Sequence, residues 1–326
     1  AAAAMRAHLE RSMNNLPMIP NQETVSYLST LYSHPEWLVK EMIDALGEDE
    51  AAAMLAANNS QPPTTVMVNT TRTTVEDLTA KLTEAKVEVQ PHPWMENCLQ
   101  LSRTGDLERL TAFQDGLFYV QDPASKAAIC AADPKPGMRV LDCCAAPGGK
   151  SFAAAIAMEN QGEIISCDLH PHKKKLIQAG ADRLGLTIIK PMTADGKVFK
   201  PEWENAFDVV LVDAPCSGLG VIRKKPDIRY KDPEPLADLP TIQTAILNNA
   251  SRYVKPGGVL FYSTCTVLSR ENEGVVRAFL AEHNDYKEEA FTLPAPIGEA
   301  TTGMLTLWPH RHGTDGFFLC KLRKGE

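Results

Sequence analysis

The chain has 326 residues, of which 44% are hydrophobic and 23% are charged, and both proportions are close to globular averages. No apolar run approaches the roughly 20 residues of a membrane span, and no basic start precedes an apolar core, so neither a membrane span nor a secretory signal is expected. The net charge of −8 argues against binding nucleic acid through bulk charge, although local basic runs are present.

The eight cysteines are spread through apolar or motif contexts, and none forms a C-x-x-C pair. Zinc-site spacing is therefore absent, and we expect no bound metal. Scattered thiols are typical of a reducing compartment, so the sequence predicts a cytoplasmic protein in which most cysteines are small buried hydrophobes.

The first third of the chain predicts a short remnant followed by a small domain. Residues 1–34 predict a remnant helix and a linker, which Pro17 and Pro20 interrupt. Residues 35–120 predict a small α+β domain. Its expected elements are helices over 35–47, 48–57 and 75–86 and strands at 65–69, 87–89, 98–101 and 117–120.

Residues 121–326 predict a second, larger domain because strands and helices alternate there. Such alternation predicts a mostly parallel sheet with helices on both faces, whose ligands bind beyond the carboxyl ends of the strands. Two further strands, over 286–291 and 316–322, are expected as an antiparallel pair. The parallel strands are expected at 139–143, 163–167, 187–191, 207–212 and 259–262, with a turn at 255–258 and helices over 150–159, 172–184 and 239–254.

The first motif follows the strand at 139–143 and consists of Cys144, Ala145, Ala146, Pro147, Gly148, Gly149 and Lys150. Small residues allow a ligand to approach the backbone, and the helix that starts here offers free N–H groups. The dinucleotide pattern G-x-G-x-x-G is absent, and a P-loop is excluded because position 144 is cysteine. A tight strand–helix turn without a ligand is the alternative for this motif alone.

Three aspartates, Asp168, Asp195 and Asp213, stand at strand ends near this turn. A carboxylate at such a position can accept hydrogen bonds from ribose hydroxyls. Each one alone is also explained as a helix cap. Together with the small-residue turn, the three favour a nucleoside pocket.

Cys216 and Cys265 follow the strands at 207–212 and 259–262, so both leave the sheet on its ligand side. A thiolate that adds to carbon-6 of cytosine makes carbon-5 enamine-like, and carbon-5 can then attack an electrophilic methyl group. Asp213 is placed to share a proton with the N3 edge of such a base. The residues alone leave open which thiol is the nucleophile. For either cysteine the alternative is that it is a buried structural residue without a catalytic role.

A basic run follows Cys216 and comprises Arg223, Lys224, Lys225 and Arg229. If the substrate is a nucleic acid, the reacting base lies close to this run. The run would then hold the phosphates beside that base. A solvated charged face is the alternative for any such run.

Taken together, these motifs resemble those of the Sun-type RNA (cytosine-5)-methyltransferases, and their flanks resemble the bacterial RsmB branch, which acts on 16S ribosomal RNA. The resemblance rests on segments 32–39, 120–122, 144–150, 213–218, 223–229, 263–266 and 310–318, with Asp168 and Asp195. It implies a Rossmann-like, class I S-adenosylmethionine-dependent methyltransferase fold, with a terminal antiparallel strand. It also implies an N-terminal domain like NusB, most of which this chain is expected to lack.

The resemblance further implies how the cofactor is held. The loop 144–150 would bind S-adenosylmethionine, which leaves as S-adenosylhomocysteine. Asp168 would hold the ribose and Asp195 the adenine, and Asp213 is also expected among the cofactor-binding residues. Lys173 stands where the family usually has an arginine, so the charge is kept but the planar guanidinium is lost.

The resemblance also implies the catalytic roles and the partner. Cys265 would attack carbon-6, Cys216 would assist release of the product, and Asp213 with Lys150 would face the cytosine. The expected partner is 16S ribosomal RNA, unassembled or partly assembled, to which the domain 35–120 would add RNA-contacting surface. A thiol must approach cytosine from above the ring, so the target base would be single-stranded or flipped out. The expected oligomeric state is a monomer.

Three competing classes were weighed against this interpretation. A DNA cytosine methyltransferase carries its nucleophile in a Pro-Cys motif, which would promote Cys216. A non-catalytic cofactor-binding module is disfavoured because both thiols are retained with Asp213 and Lys150. A nicotinamide-dependent oxidoreductase is disfavoured because its glycine pattern is absent.

Overall fold

The computed structural model describes residues 21–326. Of the remnant helix and linker predicted over 1–34, residues 21–32 are helical, and the part before residue 21 lies outside the described residues. Within residues 21–326 no helix is long and apolar enough to cross a membrane. The helices are α1 (Asn21–Tyr32), α2 (Glu36–Leu46), α3 (Glu48–Asn58), α4 (Val75–Glu84), α5 (Thr111–Gln114), α6 (Pro123–Ala132), α7 (Gly149–Ala157), α8 (Pro171–Leu184), α9 (Pro233–Leu236), α10 (Leu239–Ser251), α11 (Glu273–Glu282) and α12 (Pro309–His312). The strands are β1 (Thr64–Val68), β2 (Glu88–Pro91), β3 (Cys98–Ser102), β4 (Phe118–Val120), β5 (Arg139–Asp142), β6 (Glu163–Asp168), β7 (Ile189–Thr193), β8 (Phe207–Asp213), β9 (Val254–Thr264), β10 (Tyr286–Glu288), β11 (Phe291–Leu293), β12 (Gly298–Ala300), β13 (Met304–Leu307) and β14 (Phe317–Lys324).

The large sheet has the strand order β10-β14-β9-β8-β5-β6-β7, and β13 also pairs with β14. Strands β9, β8, β5, β6 and β7 pair in parallel, whereas β14 pairs antiparallel with each of its neighbours. Alternate strand residues face opposite sides, and both sides are buried: Val209 and Leu211 lie in one core, Val210 and Val212 in the other. The predicted mostly parallel sheet with terminal antiparallel strands is therefore confirmed.

Three segments of this sheet differ from the prediction. The segment 255–258, predicted as a turn, lies within β9, because the pairing of β9 with β8 jumps from Val254 to Val259 and the intervening residues bulge. The single strand predicted at 286–291 is divided: β10 pairs with β14, as expected for 286–288, whereas β11 pairs with β12. Strand β7 begins at Ile189, later than predicted, because residues 187–188 form a turn.

A separate antiparallel sheet has the strand order β2-β3-β1-β4. Strand β1 shows how its two faces are used. Val66 and Val68 pack with Leu78 of α4, whereas Met67 packs into a core that also contains residues of the large sheet. The small sheet thus has its own core on one face and rests on the larger unit with the other.

Helices α1, α2 and α3 form a fourth apolar cluster with the loops that leave β8 and β9. Leu38 of α2 and Met54 of α3 are fully buried in it. The loop residues that complete the cluster are Leu219, Ile222, Val267 and Leu268. These helices therefore support the loops at the carboxyl ends of two central strands.

Two helices begin near the edge of the large sheet at which its parallel strands end. Helix α6 begins at Pro123, and the preceding Asp122 caps it by accepting a hydrogen bond from the Ala124 N–H at 2.9 Å. Helix α7 begins at Gly149 after Gly148, whose φ of +116° favours glycine. The N–H groups at the starts of both helices therefore lie at the edge where sheets of this kind bind their ligands.

Candidate active site

The carboxyl ends of three neighbouring strands bring the chemically active side chains together. Strands β9, β8 and β5 are adjacent and parallel, so these ends share one edge of the sheet. Asp213 ends β8, Asp142 ends β5, Cys265 follows β9, and Cys216 lies in the loop after β8. Residues far apart in the sequence thus become neighbours.

The two thiols that the sequence singled out contact each other, with their Sγ atoms 3.3 Å apart. Both side chains are partly exposed. The hydrogen bond with Cys216 lowers the pKa of the Cys265 thiol, and the charge of Lys150 adds to this, against burial and the charge of Asp213. The same hydrogen bond, together with burial, raises the pKa of Cys216. One thiol is thereby biased toward the thiolate, and the other is held as its donor.

Lys150 and Asp213 form a charge pair in the same site. The Lys150 Nζ donates to Asp213 Oδ2 at 2.7 Å and to Ser125 Oγ at 2.9 Å. Ser263 Oγ donates to the other carboxylate oxygen of Asp213 at 2.8 Å. Burial disfavours the charged form of Lys150, but the charge and hydrogen bond of Asp213 outweigh it and raise the pKa of this lysine. Lys150 therefore stays an ammonium group at neutral pH.

A cleft of about 600 Å³ opens at this edge. The small sheet contributes to its wall through residues 64–65 and 120, and the segment 62–63 adds to it. The predicted site residues that line the cleft are Cys144, Ala145, Ala146, Pro147, Gly149, Lys150, Asp213, Lys224, Lys225 and Cys265. The loop predicted to bind a cofactor and the candidate nucleophile therefore face the same space.

Asp142 also lines this cleft, and one of its oxygens has no partner. Its Oδ2 accepts a hydrogen bond from Ser151 Oγ at 2.7 Å, whereas its Oδ1 is buried and unpaired among the described residues. Burial raises the pKa of Asp142 to about 6. A buried acceptor without a donor is costly unless a ligand or water supplies one.

Four predicted cofactor residues do not line this cleft: Gly148 of the loop, Asp168, Lys173 and Asp195. Asp168 is buried at the end of β6, where its Oδ1 accepts from the His170 N–H at 3.1 Å and lies 3.7 Å from the Lys173 Nζ. Asp195 accepts from the Lys197 N–H at 2.9 Å and lines a small neighbouring cavity. Asp168, Lys173 and Asp195 continue the same edge toward β6 and β7.

The predicted RNA-contacting role of Arg229 needs correction. This residue is only 6% exposed. Its guanidinium donates to the Ser33 carbonyl at 3.0 Å and to Asn59 Oδ1 at 2.8 Å. Arg229 therefore joins the loop after β8 to the helical segment α1–α3 instead of presenting a free charge to a phosphate.

Two other members of the basic run are also paired inside the protein. Lys224 donates to Asp122 Oδ2 at 2.6 Å and to Asp315 Oδ2 at 2.8 Å. The Arg223 side chain is 6% exposed and lies beside the same two carboxylates. Lys225 alone among the four is exposed without a salt bridge or side-chain hydrogen bond to any residue in the described part of the chain.

Several site residues were not assigned a role from the sequence. Asp122 and Asp315 lie in segments 120–122 and 310–318, which carry the family resemblance, and this was the available signal. Glu271 is fully buried and accepts a hydrogen bond from the Ser217 N–H, which fixes the loop beside Cys216. Nothing in the local sequence around Glu271 marked it.

The sheet order, the small-residue turn after β5 and the cleft at the strand ends define a Rossmann-like methyltransferase fold. Solved structures share it. The protein in the crystal structure of PH0851 has 33% sequence identity to this chain and superposes with a TM-score of 0.86. The match covers 97% of this chain and 71% of the PH0851 chain. A methyltransferase homolog protein from Pyrococcus horikoshii is 26% identical, with a TM-score of 0.77, over 94% of this chain and 100% of its own.

Comparisons of sequence give a narrower assignment. Residues 129–323 match the family model of the 16S rRNA methyltransferases RsmB/F, and residues 34–108 match the ferredoxin-like domain of RsmF/B-like methyltransferases. The probable ribosomal RNA small subunit methyltransferase B of Bacillus subtilis is 43% identical over 309 residues, which are 93% of this chain and 69% of that protein. The ribosomal RNA small subunit methyltransferase F of Klebsiella pneumoniae is 34% identical over 79% of this chain and 56% of its own. The chain belongs to the RsmB/F family of 16S rRNA methyltransferases, as its motifs predicted.

Proposed function

We propose that this protein methylates carbon-5 of a cytosine in 16S ribosomal RNA, with S-adenosylmethionine as the methyl donor and Cys265 as the covalent nucleophile. Membership of the RsmB/F family supports the reaction class and the kind of RNA. The single observation that carries the finer proposal is the 3.3 Å contact of Cys216 with Cys265 at the strand edge where Lys150 pairs with Asp213.

The residues at the strand ends fit S-adenosylmethionine. The methionine part of that molecule carries an ammonium group, and the unpaired Oδ1 of Asp142 is an acceptor suited to it. The loop 144–150 would surround this part, and Asp168 and Asp195 would hold the nucleoside, with Lys173 beside Asp168. When bound, S-adenosylmethionine supplies an electrophilic methyl group and leaves as S-adenosylhomocysteine.

The first chemical step is addition of the Cys265 thiolate to carbon-6 of the cytosine. A bond forms between Sγ and carbon-6, and the electron pair of the 5,6 double bond moves into the ring toward N3. The Lys150 ammonium, held by Asp213, can balance or protonate the charge that builds there. Carbon-5 becomes nucleophilic as a result.

Release of the product reverses the addition. The carbon-5 proton passes to solvent, its bonding pair re-forms the 5,6 double bond, and the carbon-6–Sγ bond breaks with its electrons on sulfur. The Cys216 thiol, whose raised pKa keeps it protonated, can donate a hydrogen bond to the leaving sulfur of Cys265, which departs as the thiolate that the next cycle needs. Cys216 is therefore expected to act after methyl transfer.

Two single substitutions test this order. We expect C265A to give no methylated RNA and no covalent RNA–protein adduct. We expect C216A to accumulate an adduct that survives denaturing electrophoresis, because addition proceeds while release is slow. Purified protein, radiolabelled S-adenosylmethionine and 16S RNA are incubated, and mass spectrometry of the digested nucleosides identifies 5-methylcytosine.

The alternatives give different outcomes in the same assay. An adduct with C265A but not with C216A would assign the nucleophile to Cys216. RNA that is bound but never methylated, either as unmodified 16S RNA or as small subunits, would favour a binding module. A methyl group on another atom of the base would reject carbon-5 chemistry.

A further inference from the structure

A cluster of four charged side chains lies beside the cleft; three of these side chains are largely buried. Three of the four residues line the cleft: Asp122, Lys224 and Asp315. The cluster, here called the clamp, consists of Asp122, Arg223, Lys224 and Asp315. Lys224 bridges the two carboxylates at 2.6 and 2.8 Å, and Arg223 lies 3.9 Å from Asp122 and 3.5 Å from Asp315. The side chains of Asp122, Asp315 and Arg223 are less than 10% exposed, and that of Lys224 is 30% exposed.

The clamp joins three segments that are distant in the sequence. Asp122 precedes α6, Arg223 and Lys224 follow β8, and Asp315 precedes β14. The Asp315 N–H also donates to Asp122 Oδ1 at 3.1 Å. Burial and the neighbouring Asp122 raise the pKa of Asp315 to about 6, which reflects how closely the two carboxylates are held. Two cations balance two anions, and removing one leaves a buried charge without compensation.

The backbone beside the clamp leads directly to Cys265. The Gly220 N–H donates to the Cys265 carbonyl at 2.9 Å, and the Gly316 N–H donates to the Gly220 carbonyl at 2.8 Å. A Cβ on Gly220 would lie 1.9 Å from the Gly316 oxygen, so the two loops meet at a distance that only glycine permits. Lys224 follows Gly220 by four residues, and Asp315 immediately precedes Gly316. The hydrogen bond between Lys224 and Asp315 therefore joins the same two loops.

We propose that Lys224 is a positioning residue: by bridging Asp122 and Asp315 it holds the loop after β8 against the loop before β14, and through Gly220 it fixes the backbone of Cys265. The proposal rests on the proposed function for the nucleophilic role of Cys265. It replaces the phosphate contact that the sequence predicted for Lys224.

The two roles of Lys224 differ in what they change. Loss of a phosphate contact weakens RNA binding. It also reduces the slope of the logarithm of RNA affinity against the logarithm of salt concentration by about 0.7 to 0.9. Loss of a positioning contact displaces the nucleophile and lowers kcat, while the affinity for RNA stays the same. Lys225 offers a matched control, because it is adjacent, lines the cleft and is exposed.

The experiment compares K224Q, K224R and K225Q in the full chain. We expect K224Q to lower kcat by roughly 10- to 100-fold, with an unchanged dissociation constant for 16S RNA and an unchanged salt slope. We expect K224R to recover most of the loss, because it keeps the charge between the two carboxylates. K225Q is expected to weaken RNA binding and reduce its salt slope.

Amide hydrogen exchange supplies a readout that does not depend on activity. We expect K224Q to speed exchange in peptides covering 216–222, 263–267 and 312–317, and K225Q to leave these segments as in the wild type. Unchanged exchange in K224Q, or a raised RNA dissociation constant with kcat unchanged, would overturn the positioning role. If the wild type makes no 5-methylcytosine, the proposed function fails, whereas the exchange comparison still decides the clamp.

A second variant keeps the test usable if K224Q does not fold. The double substitution K224Q/D315N removes one charge of each sign and restores the balance of the cluster. We expect it to fold with faster exchange in the same three segments, because the bridge is still lost. Wild-type exchange in the double variant would count against the proposal.

Discussion

Lys150 is one of two groups that favour the Cys265 thiolate, and the other is the Cys216 thiol. The Lys150 ammonium contacts Asp213, and its charge favours the Cys265 thiolate, although the Cys216 hydrogen bond has the larger effect. Burial and the negative charges of Asp213 and Asp315 act in the opposite direction. Removing Lys150 would leave Asp213 without its cation, so the pKa of Cys265 would rise.

We predict that K150M moves the pH profile of Cys265 alkylation by iodoacetamide to higher pH. Less thiolate is then present at pH 7, so alkylation is slower there, and the rates converge at alkaline pH where both proteins are ionised. The rate of methyl transfer should fall by roughly 10²- to 10⁴-fold. Peptide mass spectrometry follows the alkylation, and K174M, at an exposed lysine of α8, is the control. An unmoved profile would contradict this account of the thiol.

The last strand is held to the β10–β11 connection by Glu289. Arg323 of β14 donates from Nη2 to Glu289 Oε1 at 2.6 Å, and the Lys321 Nζ lies 3.1 Å from the same oxygen. These contacts, the Arg323 hydrogen bonds foremost, lower the pKa of Glu289 from 4.5 to about 2. A depressed folded-state pKa stabilises the protein above the unfolded value, and this contribution is lost as the pH falls toward 2.

We predict that E289Q lowers Tm at pH 7 by about 2–4 °C and that the difference from the wild type narrows as the pH falls from 4.5 toward 2. Thermal unfolding followed by circular dichroism over this pH range measures both effects. Glu288 is the matched control, because it is adjacent, exposed and without a salt bridge within residues 21–326. A constant difference at every pH would show that the carboxylate charge is not responsible.

The helical segment α1–α3 is joined to the methyltransferase loops by both apolar packing and Arg229. The apolar contacts around Leu219 and Val267 impose no particular orientation on the segment. The Arg229 guanidinium, in contrast, donates directional hydrogen bonds to Ser33 and Asn59. Ser33 and Asn59 are exposed, so water can replace the lost donor, and losing each hydrogen bond costs about 0.5–1.5 kcal/mol. Arg229 is therefore expected to contribute to how firmly the segment is docked.

We predict that R229M speeds hydrogen exchange throughout residues 21–58 and leaves the central strands of the large sheet unchanged. R229K should be intermediate, since an ammonium group cannot reproduce the spread of guanidinium donors. Exchange measured by mass spectrometry, with R109M at a highly exposed arginine as the control, checks this. Faster exchange everywhere would instead indicate global destabilisation.

The sequence by itself determined the large sheet and most of the cleft. Parallel strands place their carboxyl ends at one edge, so strand prediction alone was enough to gather Asp213, Cys216, Cys265 and the loop 144–150. It also left Cys216 and Cys265 equivalent, because both follow strands of the same kind. The opposite shifts in their pKa depend on Lys150 and on each other, which strand position does not reveal.

Only the tertiary structure decided which charges are free. A basic run predicts an exposed cationic surface, yet Arg229 and Lys224 are paired with groups that lie far away in the sequence, such as Asn59 and Asp315. Such pairing depends on which loops the packing of α1–α3 and β14 brings together, and no local pattern records it. The physical reason is that a buried charge needs a partner close in space, whereas sequence order fixes only the neighbours along the chain.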